Sequence, residues 1–438
     1  MTAHYLIIGG GVAGLTAADE LIRRGNRVTV WEAAPEMGGL TSAHVRPTDG
    51  GDPIAWDRFY HVISLTDSHT RGVLKRLGLD DEVRWVETKT GFYAGGRLHS
   101  MSTTAEFLRF KPLSMIERLR LGGTIFYLSK IGDWRRLEKI PVADFLRRVS
   151  GRGAFEKIWL PLLKAKLGDA YRETSAAFIW AHTQRMYRAR RSGAKKEMFG
   201  YIPGGYRRIV RAWTDDLASR GVAVETGRPV ASVAACDGGG LRVVDADGRG
   251  ECFDGVIATV PSPRIAAMAE PMDAPERDAH RGIRYLGVVC ASMLLKKPIS
   301  PYYVTNIVDD WVPLTAVIEM TAIVDPSELD GHHLVYLPKY AADDSPELDV
   351  GDDDYRERCL STLEKMYPEF DRDDVVDFRV SRAKYVAALA TVGYSDRLPD
   401  VATSLPGFYA VNTAQILEGN LNVDETIKIV REKMSAVA

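Results

Sequence analysis

Three glycines and one acid near the start of the chain have the types and the spacing to hold a dinucleotide. Gly9, Gly11 and Gly14 make a G-x-G-x-x-G pattern, and Glu32 stands at the end of the next apolar run. Gly9 permits a tight turn, Gly11 lets backbone come up against a pyrophosphate, and Gly14 lets a helix pack closely on a strand. Glu32 offers a carboxylate that accepts hydrogen bonds from ribose hydroxyls.

These residues act together only if the elements around them present them to one place. Residues 5–8, Tyr-Leu-Ile-Ile, read as a short buried strand that breaks at the glycines. Residues 16–24 have the spacing of apolar and small residues that a helix needs. The start of that helix, Val12 and Ala13 included, turns unpaired N–H groups and a positive dipole end toward phosphate. Arg27–Trp31 is a second strand, and it delivers Glu32. Strand, turn, helix, strand and terminal acid in one unit are a strong dinucleotide signal.

After Glu32 the chain runs Ala33-Ala34-Pro35-Glu36-Met37-Gly38-Gly39, and a second Gly-Gly is more than an NAD site requires. Here the sequence resembles the flavin amine oxidase, protoporphyrinogen oxidase and phytoene desaturase superfamily, whose members set such a Gly-Gly beside the FAD pyrophosphate. The resemblance implies FAD held by Gly9, Gly11, Val12, Ala13, Gly14, Glu32, Ala33, Gly38, Gly39, Leu40 and Thr41. Where the family usually has Arg or Lys, this chain has Leu40, so that charge comes from elsewhere or is absent. The likeness continues at Trp56-Asp57-Arg58-Phe59-Tyr60-His61, the family's entry to the flavin site. It makes Arg58, Tyr60 and His61 the catalytic candidates beside the isoalloxazine, with His61 as proton acceptor. A histidine that only caps its loop is the alternative.

Length and composition agree with an enzyme of two interleaved domains. The chain has 438 residues, a net charge of −2 and 26% charged residues, which suggests neither a nucleic-acid binder nor a disordered acidic protein. Cys236, Cys252, Cys290 and Cys359 show no C-x-x-C spacing, so neither a zinc site nor a disulfide framework is expected, and no metal is predicted. A reducing, cytoplasmic setting is the default. No signal peptide is read at the N-terminus, and no run reaches the roughly 20 apolar residues that span a bilayer. The expected protein is soluble or at most membrane-peripheral.

Past His61 the chain leaves the dinucleotide unit. Residues 68–77 read as a helix and 91–99 as a hairpin around Ala-Gly-Gly. Residues 104–191 are a helical stretch interrupted at Pro112, at Gly122-Gly123 and at Pro141, where the superfamily inserts a substrate domain. Residues 107–128 interleave apolar residues with Arg109, Lys111, Arg118 and Arg120. Such a segment lies on a membrane surface or packs as ordinary helices with solvated basic faces. Arg185, Arg188 and Arg191, three apart on one helix face, are substrate candidates for an anion such as a diphosphate. A salt-bridged, solvated face is the alternative.

The dinucleotide unit resumes near residue 200. Pro203-Gly204-Gly205 precedes a helix as in the family, and the resemblance gives the Val230 backbone the adenine contact. Leu241–Val244 and 251–253 read as a hairpin, and 254–261 as a strand returning to the sheet. Residues 286–295, 312–319, 333–337 and 375–380 read as strands flooring the substrate cavity, with a helix at 353–366. At the lysine position of the family's amine oxidases this chain places Cys290 or Val289, while Lys296 and Lys297 lie too near the strand end, which argues against amine oxidation in that style. Near the C-terminus Asn412 replaces the acid that the family sets at the ribityl chain. Asn422 starts a helix with Glu425 three residues on, a capping-box arrangement. By resemblance the end of that helix, Asn422 and Val423, points at flavin N1 and C2 carbonyl. This closing segment has no cysteine for a covalent flavin link, so noncovalent FAD is expected.

The expected architecture is α/β, a Rossmann-like FAD-binding domain of the glutathione-reductase type interleaved with an α+β substrate domain. Residues 1–65, 200–262 and 396–438 make the first, and 66–199 and 263–395 the second, with the helical insertion at 104–191. The expected function is an FAD-dependent oxidoreductase taking a hydride from a C–H or C–N centre onto flavin N5, with oxygen or another acceptor. Its substrate is a small molecule, anionic or isoprenoid- or sugar-linked. The alternative is a non-redox mutase that rearranges a nucleotide sugar with reduced FAD, as UDP-galactopyranose mutases do.

Overall fold

The computed structural model describes residues 2–48, 51–191 and 197–437, with 187–191 described by backbone alone. Its first sheet grows from the N-terminal strand His4–Ile8, whose residues after His4 are all buried. Burial on both faces explains an apolar run without alternation. The five parallel strands lie in the order Ala223–Glu225, Arg27–Trp31, His4–Ile8, Gly255–Ala258, Phe408–Ala410. Three distant parts of the sequence therefore meet in one sheet. The helices Val12–Arg23, Gly205–Ser219 and Val423–Lys433 share an apolar core with it, built on Leu15, Leu21, Trp213, Leu217, Ile427 and Val430.

The second sheet has seven strands, in the order Val375–Ala388, Tyr285–Leu295, His333–Ala342, Ala316–Glu319, Val304–Ile307, Thr90–Ala94, Arg97–Ser100. Its pairs are antiparallel except that between Val304–Ile307 and Thr90–Ala94. The central strand Tyr285–Leu295 is buried throughout. One of its faces packs on the helix Asp352–Met366, and the other carries Val288, Cys290 and Leu294 toward Trp56 and Tyr336. Of the strand predicted at 312–319 only Ala316–Glu319 forms, and Pro313, which lacks the N–H a ladder needs, lies in the part left out. The strand predicted at 375–380 instead runs on to Ala388.

A helical layer from 104 to 191 covers one end of this sheet. Phe110, Leu121, Leu128, Phe145, Phe155, Trp159, Leu163 and Trp180 form its core, which reaches the sheet at Phe92 and Leu286. The helix Met115–Lys130 passes straight through Gly122-Gly123, where a break was expected. Ser114 and Glu117 cap it reciprocally, and the Phe107 ring stands 3.5 Å from where a methyl group on Gly122 would be. A π-helical turn, Phe155–Trp159, precedes the helix Leu160–Leu167. Pro161 supplies no N–H to an α ladder, and the backbone widens just before it.

A further expectation is corrected. Cys236 and Cys252 form a disulfide, although their spacing gave no sign of it. The three-stranded sheet Val230–Ala235, Leu241–Asp245, Gly250–Phe253 folds back on itself and brings their Cα atoms to 6.8 Å. The basic segment packs Leu121, Thr124 and Leu128 inward. It leaves apolar residues outside: Ile116 is 69% exposed, Leu119 62% and Phe126 57%, beside exposed Met115 and Tyr127. Residues 109–140 carry eight Lys or Arg against three Asp or Glu. Among the described residues no helix is long and apolar enough to cross a membrane.

Candidate functional site

The glycine turn is built by the protein's own packing at two positions and not at the third. Gly9 has φ of +109°, a conformation that costs a residue with a Cβ. A Cβ on Gly14 would lie 1.8 Å from the Gly9 carbonyl oxygen, so helix and strand touch only because it is absent. Gly11 differs. Its φ of −77° suits any residue, and a Cβ there meets the Gly38 and Gly39 backbone no closer than 3.8 Å. The glycine leaves open a cradle that a side chain would fill. That is the fit a dinucleotide pyrophosphate requires.

The surrounding groups complete the cradle. The Gly38 N–H donates to the Gly10 carbonyl at 2.9 Å, so the second Gly-Gly lies against the first turn. Gly10 N–H donates to the Glu32 carboxylate at 2.5 Å, and Ala34 N–H to its other oxygen at 2.8 Å. Glu32 is thus fixed at the end of its strand with lone pairs remaining. Gly39 and Ala33 are exposed, Leu40 is half-buried, and buried Thr41 turns its hydroxyl back to the Gly38 carbonyl at 2.8 Å. Val230 opens the strand Val230–Ala235 and is half-buried. Beside it Arg228, not anticipated from the sequence, is buried 3.5 Å over the Trp31 ring and paired with Asp245, Glu225 and Glu251. Its N–H donates to the Glu32 carbonyl at 2.8 Å, which ties the end of the acid's strand to the neighbouring sheet.

At the C-terminal end, Asn412 is buried and mostly committed. Its amide nitrogen donates to the Val260 carbonyl at 3.0 Å and the Ser262 hydroxyl at 3.2 Å, and its oxygen accepts the Ala414 N–H at 2.9 Å. Both amide hydrogens are used, and one oxygen lone pair remains. Asn422 caps the helix Val423–Lys433 by accepting the Glu425 N–H at 3.0 Å. The reciprocal half of the expected box is missing, because Glu425 turns instead toward Lys428.

Arg58, Tyr60 and His61 are adjacent in sequence and point to three places. Arg58 is exposed and lines a cavity of about 340 Å³ with Gly39, Leu40, Ser42 and His44. His61 lines a different cavity, about 490 Å³, with Asp57, Gly205 and Tyr206. Tyr60 reaches the sheet, its hydroxyl 3.2 Å from that of Tyr340. The chain bends at Arg58 and Phe59 just after the strand Ile54–Asp57, so the three side chains leave in different directions and no single constellation forms. Burial pushes the His61 imidazole down to about 4, and its Nδ1 has no hydrogen-bond partner. Asp57 lies 3.8 Å from that nitrogen, and burial raises its carboxyl to about 8 despite N–H groups from Tyr206 and Arg207. Both groups are held uncharged.

Of the arginine row, Arg185 is not free. It pairs with Asp67 at 3.2 Å, and Asp67 itself is raised to about 6, burial outweighing that pairing. The side chains of Arg188 and Arg191 lie outside the described residues. Cys290 faces the Trp56 side of the sheet, whereas Val289 faces the helix Asp352–Met366. Sequence reading also passed over Lys166, which sits three residues after buried Leu163 on an inward helix face. A lysine at an apolar position was the available signal.

Comparison with known proteins is consistent with this geometry. The family profile described as flavin containing amine oxidoreductase matches residues 12–417. A protein of Synechococcus elongatus named probable zeta-carotene desaturase is 22% identical over 260 residues, 54% of this chain and 53% of that protein. The chain thus spans about half the length of that relative. A carotenoid phi-ring synthase of Streptomyces griseus is 24% identical over 440 residues, covering 92% of this chain and 82% of its own. Among solved structures, a putrescine oxidase bound to putrescine is 15% identical with a TM-score of 0.75, covering 100% of this chain and 99% of that one. At that identity the likeness is one of fold alone.

Proposed function

The chain belongs to the flavin containing amine oxidoreductase family, and from that premise we propose that it binds FAD noncovalently and takes a hydride from a C–H or C–N centre of a small substrate. The observation that carries the cofactor is the open space at Gly11, opposite Gly38 and Gly39. Residues 1–65, 200–262 and 396–438 form the FAD-binding part, of glutathione-reductase type, and 66–199 with 263–395 form the substrate part. The flavin ring, when bound, supplies the hydride acceptor at N5.

The residues of the chain bind, orient and polarise. The N–H groups at Gly11, Val12 and Ala13 receive pyrophosphate oxygens at a helix N-terminus. Glu32 receives ribose hydroxyls, and the Val230 backbone meets the adenine. Arg58 lines the same cavity as Gly39 and Leu40, and it supplies the positive charge that Leu40 lacks. The remaining lone pair of Asn412 accepts a ribityl hydroxyl. The capped start of Val423–Lys433 presents a positive dipole end that favours negative charge on the reduced ring. His61, uncharged and with Nδ1 unpartnered, is the proton acceptor within reach of the loop.

The substrate lies between the helical layer and the seven-stranded sheet. The exposed apolar strip of Met115–Lys130, among cations, docks on an anionic lipid surface. The rearrangement reading leaned on an arginine row for a diphosphate, and Arg185 is already paired with Asp67. One experiment separates the readings. Anaerobic bleaching of the bound flavin by a metabolite fraction supports oxidation; turnover only after chemical reduction of the flavin, with no net oxidation, replaces it with rearrangement.

A further inference from the structure

Lys166 is a cation set into the interior without an anion. It projects from the helix Leu160–Leu167, and its Nζ lies 3.1 Å from the centroid of the Tyr340 ring, on the strand His333–Ala342. One residue fixes that approach: the Thr315 hydroxyl donates to the Ala165 carbonyl at 2.7 Å and accepts the Tyr340 N–H at 3.2 Å, clamping helix to strand. Tyr340 in turn meets Tyr60 hydroxyl to hydroxyl. His182 stands close enough to feel the Lys166 charge, and its Nδ1 is 3.3 Å from the amide nitrogen of Asn420, next to the capped start of the closing helix. Lys166 therefore stands among the Tyr60 loop, the floor strand and the start of the closing helix.

No carboxylate of the described residues pairs with Lys166. It keeps some accessible surface, yet protein surrounds it closely enough that burial pulls its ammonium down to about 7, and nothing offsets that pull. The charged and titratable groups around it are few. Lys166 and Arg185 both hold His182 low, after burial, near 4 and so uncharged. Asp67 cancels Arg185, and the tyrosines are neutral. Lys166 thus stands without an anion and about half protonated at neutral pH, and a carboxylate arriving beside it would keep the proton on its amine.

We propose that Lys166 receives a carboxylate of the substrate, with the Tyr60 and Tyr340 hydroxyls beside it, so that the molecule oxidised carries a carboxylate apart from the C–H bond that would give its hydride to the flavin and its proton to solvent, and amines that lack a carboxylate are rejected. One free cation matches one negative charge, whereas a phosphate dianion or diphosphate would call for more. A protonated amine entering the same space would face an unshielded ammonium. The inference rests on the oxidoreductase reading and names its substrate class.

The test uses the flavin-loaded protein and three probes of one shape: benzoate, benzamide and benzylamine. Binding is read by saturation-transfer NMR and by the shift of the flavin spectrum. Benzoate is expected to bind roughly tenfold or more tightly than the other two, as a charged hydrogen bond implies. Lys166→Met should erase that preference without changing benzamide binding, and Lys166→Arg should keep it. Equal or tighter binding of benzylamine, an unchanged benzoate affinity in Lys166→Met, or binding of none of the probes would overturn the proposal. Flavin content of each variant is measured first. Protein without flavin removes the oxidoreductase reading; full flavin without benzoate preference removes only this inference.

Discussion

Replacing Gly11 and Gly14 one at a time separates a glycine kept for a ligand from one kept for the fold. In Gly11→Ala the backbone already has φ of −77°, and the new methyl group meets nothing nearer than 3.8 Å. The apoprotein should therefore be as stable as the parent, or gain about 0.4–1 kcal/mol from a less flexible unfolded chain. FAD should suffer, because the methyl group stands where the pyrophosphate approaches. Loss of one charge-assisted hydrogen bond at about 1.5–3 kcal/mol weakens binding roughly 10- to 100-fold. Gly14→Ala behaves oppositely. Its Cβ falls 1.8 Å from the Gly9 oxygen and 3.0 Å from the Gly9 carbonyl carbon, both backbone atoms that cannot rotate away. The helix must lift off the sheet, at about 1–3 kcal/mol or more. The assay is FAD titration of deflavinated protein by flavin fluorescence, with thermal melts of the same samples with and without FAD. The reasoning is refuted if Gly11→Ala binds FAD within twofold of the parent, or destabilises the apoprotein as much as Gly14→Ala does.

Other perturbations give distinct readouts. The folded Asp57 carboxyl titrates near 8, above its unfolded value of 3.8, so its contribution to stability is full below about 4 and is lost as pH rises through about 8. Asp67, near 6, and Glu319, near 7, act in the same direction at lower pH. Asp57→Asn keeps an acceptor for the Tyr206 N–H and should flatten the fall of melting temperature between about pH 4 and 8; an unchanged decline across that window would contradict the assignment. Unfolded, unreduced protein should expose two reactive thiols, Cys290 and Cys359, and reduction should raise the count to four. Opening that disulfide, with its separation of 16 residues, should cost about 3 kcal/mol in denaturant titrations. Vesicles rich in anionic lipid should pellet the protein in a salt-sensitive way, and a triple variant Ile116→Asp, Leu119→Asp, Phe126→Asp should stay in solution. Absence of pelleting by the parent would remove the membrane contact.

What was legible in the sequence was what local chemistry determines. The glycine turn, Glu32, the second Gly-Gly and the Asn422 cap each depend on neighbours within a few residues, and each stands where its spacing implied. The hairpin at 91–99 and the helix at 353–366 were readable for the same reason. Long-range assembly was not. The disulfide depends on how three strands fold back, and the helix Met115–Lys130 continues through Gly122-Gly123 with Leu121 and Leu128 in the core of the helical layer. Arg58, Tyr60 and His61 looked like one group in sequence, and the bend at Arg58 and Phe59 sends them to separate surroundings. Lys166 gained its meaning only when Tyr340, more than a hundred residues away, came under its ammonium.

The most direct measurement is anaerobic visible titration of the flavin-loaded protein with metabolite extracts split by charge. The account predicts bleaching of the flavin by the fraction retained on an anion exchanger, and recovery of colour when an acceptor such as oxygen is admitted. Bleaching by the cationic amine fraction alone would contradict the carboxylate assignment of Lys166, and bleaching by no fraction would contradict substrate oxidation itself.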